Sequence, residues 1–511
     1  MSSDNIFDLF VIGGGINGLG VVRDAAGRGL SVGLCEKDDV AGHTSSSSTK
    51  LIHGGLRYLE HYDFALVRKA LMERETLLKM APHIIWPMRF VLPIAKSGRP
   101  AWLIRVGLFL YDHLGGRKML PGTRTIRRSR SHKLNPLKDE FRLAYEYSDC
   151  WVDDARLCIL NAIDAKERGA EIFTRHTCVG LVRKSDHWVV TLKPLMGDAF
   201  EVKTRTLINA AGPWVEEITK LAVRSNAQTA VRLVKGSHIV TAPLFKGDHA
   251  YFFQNPDGRI IFAIPYEEGR YTLIGTTDVA FDQAQLDSVE ISDDEIEYLC
   301  TSANAYFQTQ IDRSSIVWTY SGVRPLYDDQ SDDASQVTRD YVLKYDNSGA
   351  PIVSIFGGKI TTYRTLSEHV LSQLEDDLPH MTEAWTAKSH LPGGDMSEAD
   401  FEGFVESLVR GYATIDGDIL YRLARAYGTR ATMILGDAIS VNDLGEDFGG
   451  GLFTAEIDYL IRHEFAETTE DVLYRRSKLG IHMRPEDRKR FEAWFPGRVK
   501  EIRRSQAEIS A

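Results

Sequence analysis

Long apolar runs, paired cysteines and an excess of basic charge are all missing from this sequence, and each absence removes a class of protein. No stretch approaches the roughly 20 apolar residues that a membrane-crossing helix needs; the nearest, AWLIRVGLFLY from Ala101 to Tyr111, is interrupted by Arg105. The cysteines are Cys35, Cys150, Cys158, Cys178 and Cys300, an odd number with no C-x-x-C. Neither a disulfide framework nor a zinc site is indicated, no metal centre is expected, and a reducing compartment fits. The net charge of −10 argues against general nucleic-acid binding, which needs a basic face. The local exception is Arg124, Arg127, Arg128, Arg130 and Lys133. No basic segment followed by an apolar one precedes the first strand, so no secretory leader is expected. Repeats at solenoid periods are also absent.

What is present begins at Phe7. An apolar strand, FDLFVIGGG, is followed by a turn with Gly13, Gly15 and Gly18, a helix opened by Ile16 and Asn17, and a second strand ending at Glu36. Each glycine has its own task. Gly13 permits the tight turn, Gly15 lets a pyrophosphate approach the backbone, and Gly18 lets the helix pack close to the sheet. The helix N-terminus offers unpaired N–H groups to the phosphates, and Glu36 stands where a ribose hydroxyl needs an acceptor. The unit predicts dinucleotide binding and leaves NAD and FAD both open. No second G-x-G-x-x-G follows a strand, which favours one tightly held dinucleotide over twin nucleotide domains.

At 511 residues the chain is expected to hold two to four domains, at roughly 100–200 residues each. After Glu36 come the hydroxyl-rich HTSSSSTK turn, LIHGGLRYLE, and a helix with Phe64, Val67, Leu71 and Leu78 on one face. A helix from about Ala155 to Arg168, the strands EIFT and HWVVTL, and TLINAAG ending at Gly212 return the chain to a parallel sheet. From Arg232 to about Tyr345 short alternating strands predict an antiparallel sheet forming a substrate domain, interrupted by one helix capped by Ser292 and Glu295. IVSIF and the turn GGKITT, Gly357 to Thr362, then rejoin the first domain. From about Glu383 the pattern is helical, with Phe401, Phe404, Val405 and Leu408 on one face and Ile457, Leu460 and Ile461 on another. The segment Ala101 to Tyr111 has two readings: a buried helix or strand pair, or an interfacial element placing Trp102, Leu103, Leu108 and Phe109 in lipid. In the second, the basic cluster would meet anionic headgroups.

If the dinucleotide is FAD, the cofactor accepts the hydride and the protein orients the substrate and polarises its hydroxyl. The candidates for that work are Arg57, His238, Arg324, Arg339 and Lys359. Arg57 follows two glycines and Arg324 precedes a proline, and the arginine fork matches phosphate or carboxylate oxygens in pairs. A surface ion pair is the plainer role for any one arginine. An unpaired arginine inside an apolar strand is costly, which lowers that reading. His238 has the unperturbed pKa of a base for a hydroxyl proton, although a lone strand histidine is more often a core residue. Lys359 is the rival base, or a cation for a developing alkoxide or reduced flavin; its plainer role is a solvated charge at a strand end.

The segments IGGGINGLG, SSSTKLIHGGLRYLEHYDF, EYSDCWVDDARL, NAAGPW, RLVKGSHIV, LIGTTD, WTYSGVRPL, TRDY and FGGKITTYR, in order along nearly the whole chain, closely resemble the FAD-dependent glycerol-3-phosphate dehydrogenases of the aerobic respiratory type. LGEDFG and DVLYRRSKLG extend the likeness to the C-terminus. The resemblance implies an α/β fold: a Rossmann-like FAD-binding domain of the glutathione-reductase/D-amino-acid-oxidase type, an antiparallel β-sheet substrate domain and a C-terminal α-helical cap domain. The expected division is 1–382 for the oxidoreductase region and 383–511 for the cap. Within the first, FAD-binding segments fall at about 5–85, 150–225 and 350–382, with substrate segments at about 86–149 and 226–349.

The family's activity would be oxidation of sn-glycerol 3-phosphate to dihydroxyacetone phosphate, with electrons passed through FAD to a quinone. Attachment would be peripheral, at the cytoplasmic face of the inner membrane. By resemblance the substrate site comprises Arg57, Tyr58, His238, Arg324, Arg339 and Lys359, with His238, Lys359 and Arg324 catalytic. The dinucleotide would be held by Gly13, Gly15, Ile16, Asn17 and Gly18, with Glu36 and Lys37 at the ribose. The flavin would be lined by Thr44, Ser45, Ser46, Thr49, Lys50 and Leu51, then Gly54 and Gly55, with Gly212 and Trp214. Gly357, Gly358, Lys359, Thr361 and Thr362 would close the pyrimidine end. His43 and the loops 124–140 and 243–258 depart from the family pattern. Alternatives are a dehydrogenase of another polyol phosphate such as erythritol 4-phosphate, an oxygen-using oxidase, and a non-catalytic flavin sensor. Oligomeric state is left open, a homodimer included.

Overall fold

The computed structural model describes residues 6–95, 99–223, 231–327 and 340–510. β1 (Ile6–Ile12), α1 (Ile16–Gly27) and β2 (Val32–Glu36) form the opening unit. β1 is apolar almost throughout because a central parallel strand is covered on both faces; Leu9, Phe10 and Val11 are completely buried, each contributing about 1.5–3 kcal/mol. β1 lies between two parallel neighbours, the strand Phe200–Asn209 on one side and β2 on the other. Ile352–Phe356 and Glu171–Thr174 add parallel strands outside them. Segments remote in sequence therefore end together at the carboxyl edge of one sheet, where open α/β sheets bind ligands.

Two strand placements differ from expectation. Val342–Asp346, expected in the substrate sheet, pairs antiparallel with Ile352–Phe356 at the edge of the first sheet. The short connection 347–351 makes a local hairpin the easier closure. The second sheet is not wholly antiparallel either, since Ala250–Gln254 lies parallel to Ile85–Pro93. Those strands are far apart along the chain, so no hairpin imposes an antiparallel pairing.

The longest ladder of the second sheet joins Val231–Thr241 to Ile316–Tyr327, setting Gly236 opposite Gly322 and His238 opposite Tyr320. Leu51–Ile52 pairs at the far side of this sheet with Leu143–Val152, so the chain passes from nucleotide domain to second sheet directly after the serine loop.

α2 (Phe64–Met80) is capped by Asp63 and packs against α3 (Ala101–Leu114). In α3 the expectation of a buried element fails on the outer face: only Leu108 and Tyr111 are buried, whereas Trp102, Leu103, Val106, Phe109 and Leu110 are exposed. No helix among the described residues is long and apolar enough to cross a membrane. The C-terminal helices, among them Phe401–Gly411, Gly417–Tyr427 and Thr454–His463, close around a core of their own that includes Leu420, Tyr427, Ile457 and Phe491. A buried ion pair, Arg156 with Glu464 (Nη2 to Oε1, 2.9 Å), fastens this core to the first domain.

Candidate active site

The glycine turn is cramped in the way a dinucleotide cradle requires. Gly13 has φ +112°, and a Cβ there would lie 2.5 Å from the Ala210 carbonyl oxygen; one on Gly18 would lie 2.0 Å from the Gly13 oxygen. Gly18 thus lets α1 start directly against the turn. The Glu36 carboxylate accepts the N–H groups of Gly14 (2.7 Å) and Asp38 (2.9 Å). Burial pushes its pKa up, opposed by those bonds and by His43. Ser45 Oγ accepts from Ile16 N at 3.0 Å, and Asn17 donates to the Gly357 carbonyl at 3.0 Å while its own Oδ1 is buried without a partner.

A cleft of about 330 Å³ opens over this turn, lined by Gly13 to Gly15, Glu36, Lys37, His43 and Trp214. Lys37 Nζ sits 3.8 Å from the Trp214 ring centre and pairs with Asp287 at 3.1 Å. His43 packs against Trp214 with ring centroids 4.6 Å apart and pairs with Asp38 at 2.8 Å.

The serine loop carries this site to the second sheet. Thr44 Oγ1 donates to the Val323 carbonyl (2.7 Å) and Tyr320 Oη donates to the Ser48 carbonyl (2.9 Å). Thr49 Oγ1 lies 3.0 Å from His238 Nε2, and the His238 ring stacks on Tyr320 with centroids 4.6 Å apart. His238 is buried and its Nδ1 has no partner. Burial, then the charges of Arg324 and Lys50, hold its pKa well below the ordinary value, so the imidazole is neutral at physiological pH. Gly275 opposes it in the sheet, and a Cβ there would strike the His238 ring at 2.0 Å. Gly236 likewise leaves room for Arg324, which reaches Asp278 at 2.5 Å and Thr276 Oγ1 at 3.4 Å. Arg324 is therefore not an unpaired strand arginine.

Lys50 takes a different part from the one expected. Its ammonium is buried against Asp154 (2.6 Å) and the Ser46 carbonyl (3.1 Å), pinning the serine loop from beneath. Burying such a pair is favourable only with these further bonds in place.

Gly357 and Gly358 both adopt positive φ, turning the chain so that Lys359 Nζ lies 3.9 Å from the Tyr58 ring centre. That nitrogen is buried with no hydrogen-bond partner, as is Thr362 Oγ1. The solvated role for Lys359 is thus excluded. Thr361 Oγ1 bonds both N (3.3 Å) and O (3.4 Å) of His53. Tyr58 fits against Gly55, where a Cβ would meet its ring at 2.2 Å, and Leu51 and Gly54 are buried behind it. Arg57 is half-buried in the turn Leu56–His61. Gly212, with φ +55°, starts the turn that carries Trp214. Arg339 lies outside the described residues.

The structure thus draws together Thr49, His238 and Arg324 as one group, and Tyr58 with Lys359 as another. Three neighbours were missed in the sequence. His53 receives the Gly55 N–H at Nδ1 (3.0 Å), which leaves its proton on Nε2; burial foremost, then Lys359 and Arg74, lower its pKa against the pull of Asp149. Its place beside Gly54 and Gly55 was the available signal. Tyr320 and Asp278 gave none, because only the strand register reveals them.

The basic cluster is largely consumed internally. Arg124 and Lys133 close on buried Glu146, together with Arg89. Burial would raise the Glu146 carboxyl, but these cations hold it at about 2. Arg128 is spent on the carbonyls of Leu134, Leu137 and Lys138 and on Asp139.

The cradle, the Glu36 carboxylate beside it and the polar atoms of Asn17, Lys359 and Thr362 that lack hydrogen-bond partners fit FAD, and comparison with known proteins agrees. Residues 8–364 match the family model for FAD dependent oxidoreductase, and residues 384–494 match that for the C-terminal domain of alpha-glycerophosphate oxidase. A glycerol-3-phosphate dehydrogenase of Pseudomonas aeruginosa is 50% identical, over 94% of this chain and 93% of its own length. A D-erythritol 1-phosphate dehydrogenase of Brucella abortus is 49% identical, over 97% and 99%. The aerobic glycerol-3-phosphate dehydrogenase of Escherichia coli is 46% identical, over 96% and 97%. The crystal structure of glycerol-3-phosphate dehydrogenase from Bacillus halodurans complexed with FAD superposes with a TM-score of 0.76 at 26% identity, covering 98% of this chain and 95% of that one. With its cradle, its two-domain match and these full-length relatives, the chain belongs to the FAD-dependent glycerol-3-phosphate dehydrogenase family.

Proposed function

We propose that the protein oxidises sn-glycerol 3-phosphate to dihydroxyacetone phosphate, with a membrane quinone as the final electron acceptor. The observation that carries the chemistry is His238, a neutral buried imidazole with a free Nδ1, together with Lys359, whose Nζ is buried without a hydrogen-bond partner. FAD, when bound, accepts the hydride from the carbinol carbon. His238 takes the hydroxyl proton, a step worth about 10²–10⁴ in rate for a positioned base. Thr49 and the stacked Tyr320 fix the ring. Lys359 supplies positive charge to the oxygen as it becomes a carbonyl. Arg324, with Arg57 and Arg339, binds the phosphate by its planar fork; Gly236 gives the guanidinium its space. Gly54 and Gly55, with Thr361 and Thr362, shape the flavin end. The working division remains 1–382 for catalysis and 383–511 for the cap.

Membrane contact is assigned to α3, whose exposed row Trp102, Val106 and Phe109 repeats at helical spacing and suits an interfacial helix. Tyr62 at the end of the neighbouring turn and Phe64 at the start of α2 are exposed as well. The consumed basic cluster leaves Arg127 and Arg130 as its contribution to headgroups.

Anaerobic addition of glycerol 3-phosphate to the holoenzyme tests the reading: the flavin absorbance near 450 nm is expected to bleach, and an unchanged spectrum would sink it. A second substrate reading has specific support, the 49% identity to the D-erythritol 1-phosphate dehydrogenase. Size alone separates such substrates by only about 1–3 kcal/mol, so kcat/KM is to be compared for both phosphates. Equal or better turnover of the tetritol phosphate would transfer the assignment. Stoichiometric peroxide in the absence of quinone would instead make the enzyme an oxidase.

A further inference from the structure

The loop after β2 is held by residues from the far end of the chain. Asp39 is buried there, and Arg476 grips it with two bonds, Nη2 to Oδ1 at 2.8 Å and Nη1 to Oδ2. Arg475 Nε adds a third at 2.6 Å. The adjoining Asp38 carbonyl accepts the backbone N–H of Arg175 at 2.9 Å, and Arg175 Nη2 continues to Asp471 Oδ2 at 2.8 Å. Burial would raise the Asp471 carboxyl, yet Arg476, Arg175 and Arg475 hold it well below the carboxylate range. Asp471 thus stays ionised.

The same loop closes the cofactor cradle. Ala41 N donates to the Gly14 carbonyl at 3.1 Å, Gly14 N and Asp38 N share the Glu36 carboxylate, and His43 reaches Asp38 and Trp214. The C-terminal domain has a core of its own, and the Arg156–Glu464 pair already fastens it to the first domain. A charge pair this deep adds little net stability, whereas its fixed geometry confines the loop.

We infer that Arg475 and Arg476 are positioning residues for FAD: by fixing Asp39 they keep the Glu36-to-His43 loop closed on the adenosine end, so the C-terminal domain governs how tightly the cofactor is retained. The inference rests on membership of the FAD-dependent family and is independent of which polyol phosphate is oxidised.

The experiment measures FAD release from diluted holoenzyme, by the rise in flavin fluorescence, and the FAD dissociation constant, neither of which requires turnover. Arg475→Ala, Arg476→Ala and Asp39→Asn are each expected to weaken FAD binding by about tenfold, the size of one lost charge-assisted contact. Asp39→Asn combined with Arg476→Ala is expected to lose less than the two separate effects together. The control is Arg422→Ala, which breaks a comparable two-bond pair with Glu456 (2.8 and 2.6 Å) lying wholly inside the C-terminal domain; FAD affinity is expected to stay at the parent value. At saturating FAD, KM for the phosphate substrate should also hold. Unchanged FAD affinity in the folded variants would overturn the inference, and so would an equal loss in Arg422→Ala. Should Arg476→Ala fail to fold, Arg475→Ala and Asp39→Asn decide the matter by the same criteria.

Discussion

Replacing Trp102 and Phe109 by serine is expected to release the protein from anionic lipid vesicles. Trp102 is 69% exposed and Phe109 52% exposed, so most of their apolar surface faces outward and is available to lipid. Fully burying a large apolar side chain is worth about 1.5–3 kcal/mol; scaled by exposure, each of these contributes about 1–2 kcal/mol on entering the interface. Together the two substitutions remove about 2–4 kcal/mol, or roughly 1.5 to 3 orders of magnitude in partition coefficient. Co-sedimentation with vesicles of mixed zwitterionic and anionic lipid gives the coefficient directly. The fold should not suffer, since neither ring is in the core, and turnover with a water-soluble acceptor should be unchanged while turnover with a long-chain quinone falls. Undiminished vesicle binding by the double variant would refute the assignment of α3 as the docking element.

His238→Ala is expected to lower kcat by about 10²–10⁴ with a smaller change in KM, the mark of a lost proton acceptor; an intact kcat in steady-state assays would move the base to Lys359 or a water. Because burial and the Arg324 and Lys50 charges depress the His238 pKa, the base is already neutral at pH 6.5. The acid limb of kcat/KM should fall below that value and move upward in Arg324→Met, which a pH–rate profile will show. Gly18→Ala, whose Cβ would stand 2.0 Å from the Gly13 oxygen, is expected to yield protein without bound flavin; a full flavin spectrum after purification would contradict the packing described. His83 is buried with neither ring nitrogen partnered, and burial with the nearby Arg156 and Arg425 charges lowers its pKa to about 3. Its folded pKa lies below the unfolded one, so the unfolded chain alone binds the proton and stability falls as pH drops from about 6.5 to about 3, by about 1.4 kcal/mol per pH unit. His83→Asn should remove that slope, as read from chemical unfolding at pH 5 and 7.

The glycine turn and Glu36 were legible because their demands are local: a positive φ, a close backbone approach, an acid at a strand end. The strands of the first sheet were legible for the same reason, being runs too apolar to face water. What escaped was decided by register and by long-range pairing. Tyr320 meets His238 only because the two strands pair with Gly236 opposite Gly322, and nothing in either segment announces that offset. Lys50 reads as one more polar residue of a hydroxyl-rich loop until Asp154, a hundred positions on, takes its charge. Val342–Asp346 has the alternation of a substrate-sheet strand, but it lies one short turn from a neighbour that offered a free edge. The outer face of α3 was ambiguous because apolar residues at helical spacing signify a buried side equally whether protein or lipid covers it.

The serine loop is bonded at one end to the start of α1, through Ser45 and Ile16, and at the other to the imidazole, through Thr49 and His238. It therefore acts as a ruler between the glycine cradle and the second sheet: a residue inserted or deleted there would shift the His238 imidazole relative to the start of α1.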